Sequence, residues 1–226
     1  MKEVIYNDLG LINYKDAWDL QQKLFEDLIE AKKLEKPTKK QYILLCEHKH
    51  VFTLGKSGKQ TNLLVNEVLL KQKGIDFYQI DRGGDITYHG PGQLVIYPIL
   101  DLDEYGINTR EYVSRLEEAV IQTLQEFSIV SMRLEGAAGI WTKDRTTDYY
   151  RKICAIGVKS SHRVTMHGIA LNINTDLSYF ELMNPCGFTD KGTTSMCKEL
   201  GNEIDMEKVK ANLTKKLDTI LLKSLK

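Results

Sequence analysis

No run of about 18 apolar residues occurs along this chain, so nothing in it is expected to span a membrane. The first residues lack the apolar core of a signal peptide. Charge of one sign is also missing, because 31 Lys and Arg balance 31 Asp and Glu. The net basic field that steers proteins to nucleic acid is therefore absent, and no nucleic-acid partner is expected. The four cysteines, Cys46, Cys154, Cys186 and Cys197, include no Cys-x-x-Cys pair. A chain of 226 residues does not need disulfide staples. They read as reduced thiols in a cytoplasmic protein. Internal repeats, low-complexity tracts and Pro/Gly/Ser linkers are absent too.

What is present is ordinary globular composition, 42% hydrophobic and 27% charged. The length suits one catalytic domain, residues 1–226, with room for a small C-terminal extension from about Phe188. Ala17, Leu20, Leu24, Leu28 and Ile29 recur at helical spacing, which predicts a helix from Asp16 to Lys33. A second helix is expected from Asn62 to Lys73, closed by Gly74. A third runs from a cap at Asn108 or Thr109 to about Phe127. A short helix near Leu177 to Met183 and a longer one from Asp205 to Leu222 close the chain. Strands are expected at Gln41–Cys46, Val51–Leu54, Phe77–Ile80, Leu94–Leu100, Ile129–Leu134, Ile140–Thr142, Ile153–Lys159 and His167–Ile173. Helices and strands mix without strict alternation. The fold class is therefore α/β of the α+β type, a mixed central sheet with flanking helices.

The segment Arg82-Gly83-Gly84-Asp85-Ile86-Thr87-Tyr88-His89-Gly90-Pro91-Gly92-Gln93 is the most unusual. Glycine weakens strands but permits close approach of backbone to a ligand. The glycine order fits neither a Walker-A loop nor a dinucleotide fingerprint. A solvated connection between two strands is the bland alternative. A long polar loop of this composition reads better as a ligand cradle.

Among the cysteines, Cys46 and Cys154 end or interrupt apolar runs and read as small buried hydrophobes. Cys197 is undecided. Cys186 lies in Asn184-Pro185-Cys186-Gly187, an irregular turn able to present a thiol to a cavity. A nucleophilic thiol needs a nearby cation or helix N-terminus to ionise. Lys152, His89 and His167 are the candidates, and spacing alone does not choose between them. His167 also reads as a satisfied structural histidine, and Lys152 as a solvated strand end.

These blocks together resemble the lipoyl(octanoyl) transferase family of the biotin/lipoate protein ligase superfamily. The glycine-rich segment resembles its hallmark. Glu47-His48 with Phe52-Thr53-Leu54-Gly55 resembles its early motif. Lys152-Ile153-Cys154-Ala155-Ile156-Gly157-Val158, His167-Gly168-Ile169-Ala170-Leu171-Asn172 and Asn184-Pro185-Cys186-Gly187 resemble its later blocks, in the same order. The resemblance covers roughly residues 40 to 200. It implies that fold, and transfer of an octanoyl group from octanoyl-acyl carrier protein to a lysine of lipoyl domains. The acceptors implied are 2-oxoacid dehydrogenase E2 subunits and the glycine cleavage H protein. Cys186 would accept the acyl group, and Lys152 would lower its pKa or shuttle protons. Substrate contacts map to Arg82, Gly83, Gly84, Asp85, Ile86, Thr87, Tyr88 and His89, to Ala155, Ile156 and Gly157, and to Gly168, Ile169 and Ala170. Backbone N–H groups near Gly83, Gly84 or Gly168 are candidates for an oxyanion site. No metal, nucleotide or other cofactor is implied, because a thioester donor and a thiol are matched in energy. A monomer is the default. An ATP-dependent lipoate or biotin ligase and a non-catalytic carrier-binding module are the alternatives. Two departures stand out: Ala137-Ala138-Gly139-Ile140-Trp141 where the family usually has a Pro-Gly-Val-Trp type of turn, and a longer, more charged loop from Lys143 to Arg151.

Overall fold

A computed structural model describes residues 3–34, 40–144, 147–184 and 191–222. Eight strands form one mixed sheet in the order β1-β2-β6-β10-β9-β8-β7, with β11 also paired to β9. Their ranges are β1 (Glu3–Ile12), β2 (Lys40–His48), β6 (Gln93–Ile99), β7 (Met132–Leu134), β8 (Ala137–Lys143), β9 (Tyr150–Ser161), β10 (Val164–Asn172) and β11 (Lys191–Thr193). The β1–β2 and β11–β9 pairs are parallel, and the rest of this sheet is antiparallel. A second sheet of three strands, ordered β4-β3-β5, comprises β3 (Val51–Leu54), β4 (Asp76–Gln79) and β5 (Ile86–His89).

The large sheet buries both faces. Helices α3 (Thr109–Glu126) and α5 (Met206–Ile220) pack on one face, where Leu116, Val120, Leu124, Val209, Leu213 and Leu217 meet Ile96, Ile140, Ile169 and Leu171. Each such side chain contributes about 1.5–3 kcal/mol by leaving water. Helix α1 (Tyr14–Lys33) covers the other face, with Ala17, Phe25 and Leu28 against Val95, Tyr97, Met166 and Ala170. Opposite faces are served by alternate residues of the same strands, as the pleat requires.

Several expected boundaries shift for identifiable reasons. The helix expected from Asn62 starts only at Glu67, as α2 (Glu67–Gln72), because the Asn66 side chain accepts from Leu69 N and caps it there. Before it, Gln60–Asn62 is one 3-10 turn, and Leu63 forms a bridge to Met183. Asn108, rather than Thr109, caps α3 by accepting from Glu111 N. The strand expected from Ile129 starts at Met132, because Ser128 adopts a left-handed φ of 61° and Ile129 N bonds back to Leu124 O. Ala137 to Trp141 is not a turn but the opening of β8. Strand β1 and helix α4 (Met196–Leu200) were not expected.

The glycine-rich segment departs most. It is not a plain loop between neighbouring strands. Its middle, Ile86–His89, is β5, paired with β3 in the small sheet, while the strand that follows, β6, is central in the large one. The segment therefore carries the chain from one sheet to the other, and a cavity lies where they meet.

Candidate active site

The cavity holds about 870 Å³. Its floor is the α1 side of β9 and β10. Ala155 stands opposite Ala170, and Gly157 opposite Gly168, so two rungs of small side chains lie side by side. Their smallness has two causes. A Cβ on Gly168 would come within 2.3 Å of Ile96 O, so that glycine is needed for β6 to approach. A Cβ on Gly157 would come within 3.0 Å of Arg82 Cδ and of Gly83 O, so that position leaves room for the glycine-rich segment.

Lys152 reaches the same cavity through an irregularity. Along β9 its pairing with β8 slips, since Ile140 faces Cys154 while Trp141 faces Lys152. Two steps on one strand thus answer one step on the other, and the extra residue is a β-bulge. Ile153 and Cys154 both join the core on the α3 side. The bulge thereby puts Lys152 in phase with Ala155, three residues on, and both line the cavity. The other edge of β9 changes partner at the same place: Lys152 pairs with Thr193 of β11, and Cys154 with Leu171 of β10. The Lys152 ammonium lies 4.7 Å from the centre of the Trp141 ring. Trp141 is fixed by donating from Nε1 to Ala137 O at 3.0 Å.

The remaining wall is the glycine-rich segment. Arg82, Gly84, Asp85, Ile86, Thr87 and His89 line the cavity, as do Ile156 and Ile169. Two expected contacts do not. Tyr88 is fully buried on the opposite side of β5, donating to or accepting from His50 Nδ1 at 2.7 Å and stacked 4.8 Å from Tyr179. Strand alternation forces this: with Thr87 and His89 turned to the cavity, Tyr88 must turn away. Gly83 donates its N–H to Val158 O at 3.0 Å, so it cannot serve an oxyanion. Arg82 is also largely committed, donating to Thr53 O at 2.9 Å, Thr53 Oγ1 at 3.0 Å and Gly83 O at 3.0 Å.

Two buried histidines, His89 and His167, line this wall and a third, His48, packs against His89; burial pushes each below its ordinary range. For His48 the value falls to about 4 and for His89 to about 3. His48 donates from Nδ1 to Ile12 O at 3.1 Å and accepts from Tyr97 OH at 2.7 Å. His167 has a left-handed φ of 58°, which breaks the alternation of β10 and brings its ring to the cavity. Its Nε2 stands 3.4 Å from Asp81 Oδ1. Asp81 is held well below the usual carboxylate range, first by that hydrogen bond and then by Lys159 Nζ at 2.5 Å. His167 itself is lowered by burial, so we read the contact as a neutral N–H donating to a carboxylate whose charge is met by Lys159.

Cys186 lies outside the described residues. Its neighbours Asn184 and Lys191, on either side of positions 185–190, both line the cavity. Asn184 N donates to Asn62 O at 2.7 Å, and Lys191 begins β11. Cys46 and Cys154 are fully buried as expected, and burial drives both thiols up, away from ionisation. Cys197 is half-buried on α4. Among the described residues no three His, Cys, Asp or Glu side chains cluster in a way that could hold a metal ion.

Residues 13–218 match the lipoyl protein ligase A/B catalytic domain. The chain belongs to that family. Curated relatives extend the match over nearly the full length. An octanoyltransferase of Bacteroides fragilis is 53% identical over 97% of this chain and 99% of its own. One from Cytophaga hutchinsonii is 47% identical over 97% and 93%. Among solved structures, Plasmodium falciparum LipL1 in complex with lipoate superposes with a TM-score of 0.72 at 18% identity, covering 97% of this chain and 63% of that one. A lipoate-protein ligase A bound with ATP gives 0.68 at 14% identity, covering 100% and 87%. These structural likenesses establish the lipoate/biotin ligase fold for this family member.

Proposed function

We infer that this chain is an octanoyltransferase. It moves an octanoyl group from octanoyl-acyl carrier protein to a lysine of lipoyl domains, acting as a single catalytic domain through an acyl thioester on Cys186. Octanoyl transfer is the activity of its curated relatives at about half identity over nearly the whole chain. The acceptor class is supported by a related fold, the bi-partite lipoate protein ligase of Thermoplasma acidophilum, described with its E2 lipoyl domain. E2 subunits and glycine cleavage H protein are the acceptors we propose.

The observation that carries the mechanism is that Lys152 lines the same cavity as Asn184 and Lys191, which bracket the segment bearing Cys186. In the first step the Cys186 thiolate attacks the donor thioester carbon. The bond to the carrier sulfur breaks, and the carrier thiolate leaves with a proton taken from the Lys152 ammonium, which becomes a neutral amine. In the second step the acceptor lysine nitrogen attacks the same carbon. The bond to Cys186 sulfur breaks, and one amine proton passes to Lys152 or to the departing thiolate. As an ammonium, Lys152 favours the thiolate. The small side chains of Ala155 and Ala170 leave the floor open to an unbranched chain.

The test is intact mass after incubation with octanoyl-carrier protein and no ATP. Wild type gains one octanoyl group. Cys186→Ser gains none that passes on to a lipoyl domain, and Lys152→Ala acylates far more slowly. Unimpaired turnover by Cys186→Ala overturns the mechanism. Because the fold is shared with an ATP-bound ligase, a requirement for added ATP would favour the acyl-adenylate route instead.

A further inference from the structure

Gln93 is buried in the cavity wall, and its hydrogen bonds have a fixed direction. Its Nε2 donates to Tyr88 O at 3.2 Å, and a backbone carbonyl can only accept. The same nitrogen donates to Asn172 Oδ1 at 2.8 Å. Asn172 in turn donates from Nδ2 to another backbone carbonyl, Thr194 O, at 3.0 Å. The polarity of both amides is thus pinned from two ends. Gln93 Oε1 is left to face His89 Nδ1 at 2.7 Å, and an amide oxygen only accepts. His89 must therefore carry its proton on Nδ1. Its Nε2 then holds a lone pair, and no hydrogen bond to it occurs among the described residues.

We propose that Gln93, backed by Asn172, is a positioning residue that holds His89 as the Nδ1–H tautomer, so that Nε2 accepts a hydrogen bond from an N–H group of the substrate. The proposal deepens the octanoyl-transfer reading and rests on it for the identity of the substrate. His89 cannot then donate to an oxyanion. The two N–H sources in the reaction are the amine of the acceptor lysine and an amide of the carrier's thioester arm. Position favours the amine. Asn172 pairs with Gln93 across β6 and β10, and Thr194 N donates to Lys152 O at 2.9 Å. The relay from His89 therefore ends on Thr194 O, one residue past the Thr193 that pairs with Lys152, and so stands against the strand that carries that lysine. The ring is held between Tyr14 of α1, stacked at 5.9 Å, and His48 of β2, edge-on at 5.9 Å. Arg82 and His167 are the other titratable groups that act on it, and both oppose protonation.

The first arm of the test needs no substrate. Long-range ¹⁵N–¹H NMR of the free, full-length protein is expected to show His89 as the Nδ1–H tautomer, and Gln93→Leu to mix the two tautomers. An Nε2–H tautomer in wild type, or an unchanged tautomer in Gln93→Leu, overturns the proposal. The second arm is kinetic. Gln93→Leu is expected to slow discharge of the acyl-enzyme to a lipoyl domain about ten-fold, the size of one misplaced hydrogen bond. Acylation by octanoyl-carrier protein should change little. Slowing of acylation instead assigns the contact to the carrier amide, and slowing of neither step overturns it. Should Gln93→Leu fail to fold, Gln93→Glu serves. Its carboxylate still accepts from Nδ1–H and restores discharge at high pH, but it favours the imidazolium, so discharge should fall more steeply than in wild type as pH drops. A Gln93→Glu profile parallel to that of wild type counts against the proposal. If wild type forms no acyl-enzyme, the Cys186 mechanism fails while the NMR arm still decides the tautomer.

Discussion

Lys152 and Trp141 are strand partners, and the ammonium of the first lies 4.7 Å from the ring centre of the second. A cation over an indole face gains about 0.5–2 kcal/mol, and Trp holds it better than Phe. If Trp141 holds Lys152 in place for the thiolate, Trp141→Phe should slow acylation of the enzyme several-fold in single-turnover mass measurements. The double variant Trp141→Phe/Lys152→Ala should be no slower than Lys152→Ala alone, because the shared interaction is already gone. Additive losses would mean that Trp141 acts independently of Lys152.

Gly168→Ala should damage stability. The new methyl would sit 2.3 Å from Ile96 O, a backbone atom of the central neighbouring strand that cannot rotate away. Overpacking of this kind costs roughly 1–3 kcal/mol or more. Denaturant unfolding should show a lower midpoint with an unchanged slope. By contrast, Gly157→Ala meets the Arg82 side chain and Gly83 O at 3.0 Å. It should displace the glycine-rich segment and lower activity more than stability.

Acid should weaken the fold in a defined window. His48 is fully buried, and its value falls from 6.5 to about 4. Between those values the unfolded chain binds a proton that the folded chain refuses, so stability drops as pH falls through the window and levels off below it. The full loss from this residue is on the order of 3 kcal/mol. His48→Gln can still donate to Ile12 O and accept from Tyr97 OH, and it does not titrate. It should reduce the pH slope of stability between about pH 6.5 and 4, leaving the part that buried His89 and His167 contribute, a comparison that chemical denaturation at several pH values makes directly. An unchanged pH slope in the variant would assign the effect elsewhere.

Much of this was legible from residue pattern because the pattern and the packing coincide. Val51–Leu54 matches its strand end to end, and the stripe on α3 that includes Leu116, Val120 and Leu124 is the face it buries. What escaped has physical reasons. Strand β1 shows no apolar alternation because it lies at the sheet edge, largely exposed. Strand β5 is hidden by the glycines around it, and only its pairing with β3 defines it. The turn of Tyr88 away from the cavity follows from that pairing. The face that Lys152 occupies depends on a slipped register between two strands, and the tautomer of His89 on two distant carbonyls, neither of which spacing along the chain encodes.

The burial of Cys46 and Cys154 bears on chemical probes of this enzyme. Neither sulfur is reachable, and neither readily becomes the thiolate that electrophiles need. A haloacetamide or acrylamide reagent applied to the native protein therefore has at most two cysteines to label, Cys197 and Cys186. Replacing Cys197 alone would leave a warhead with one address.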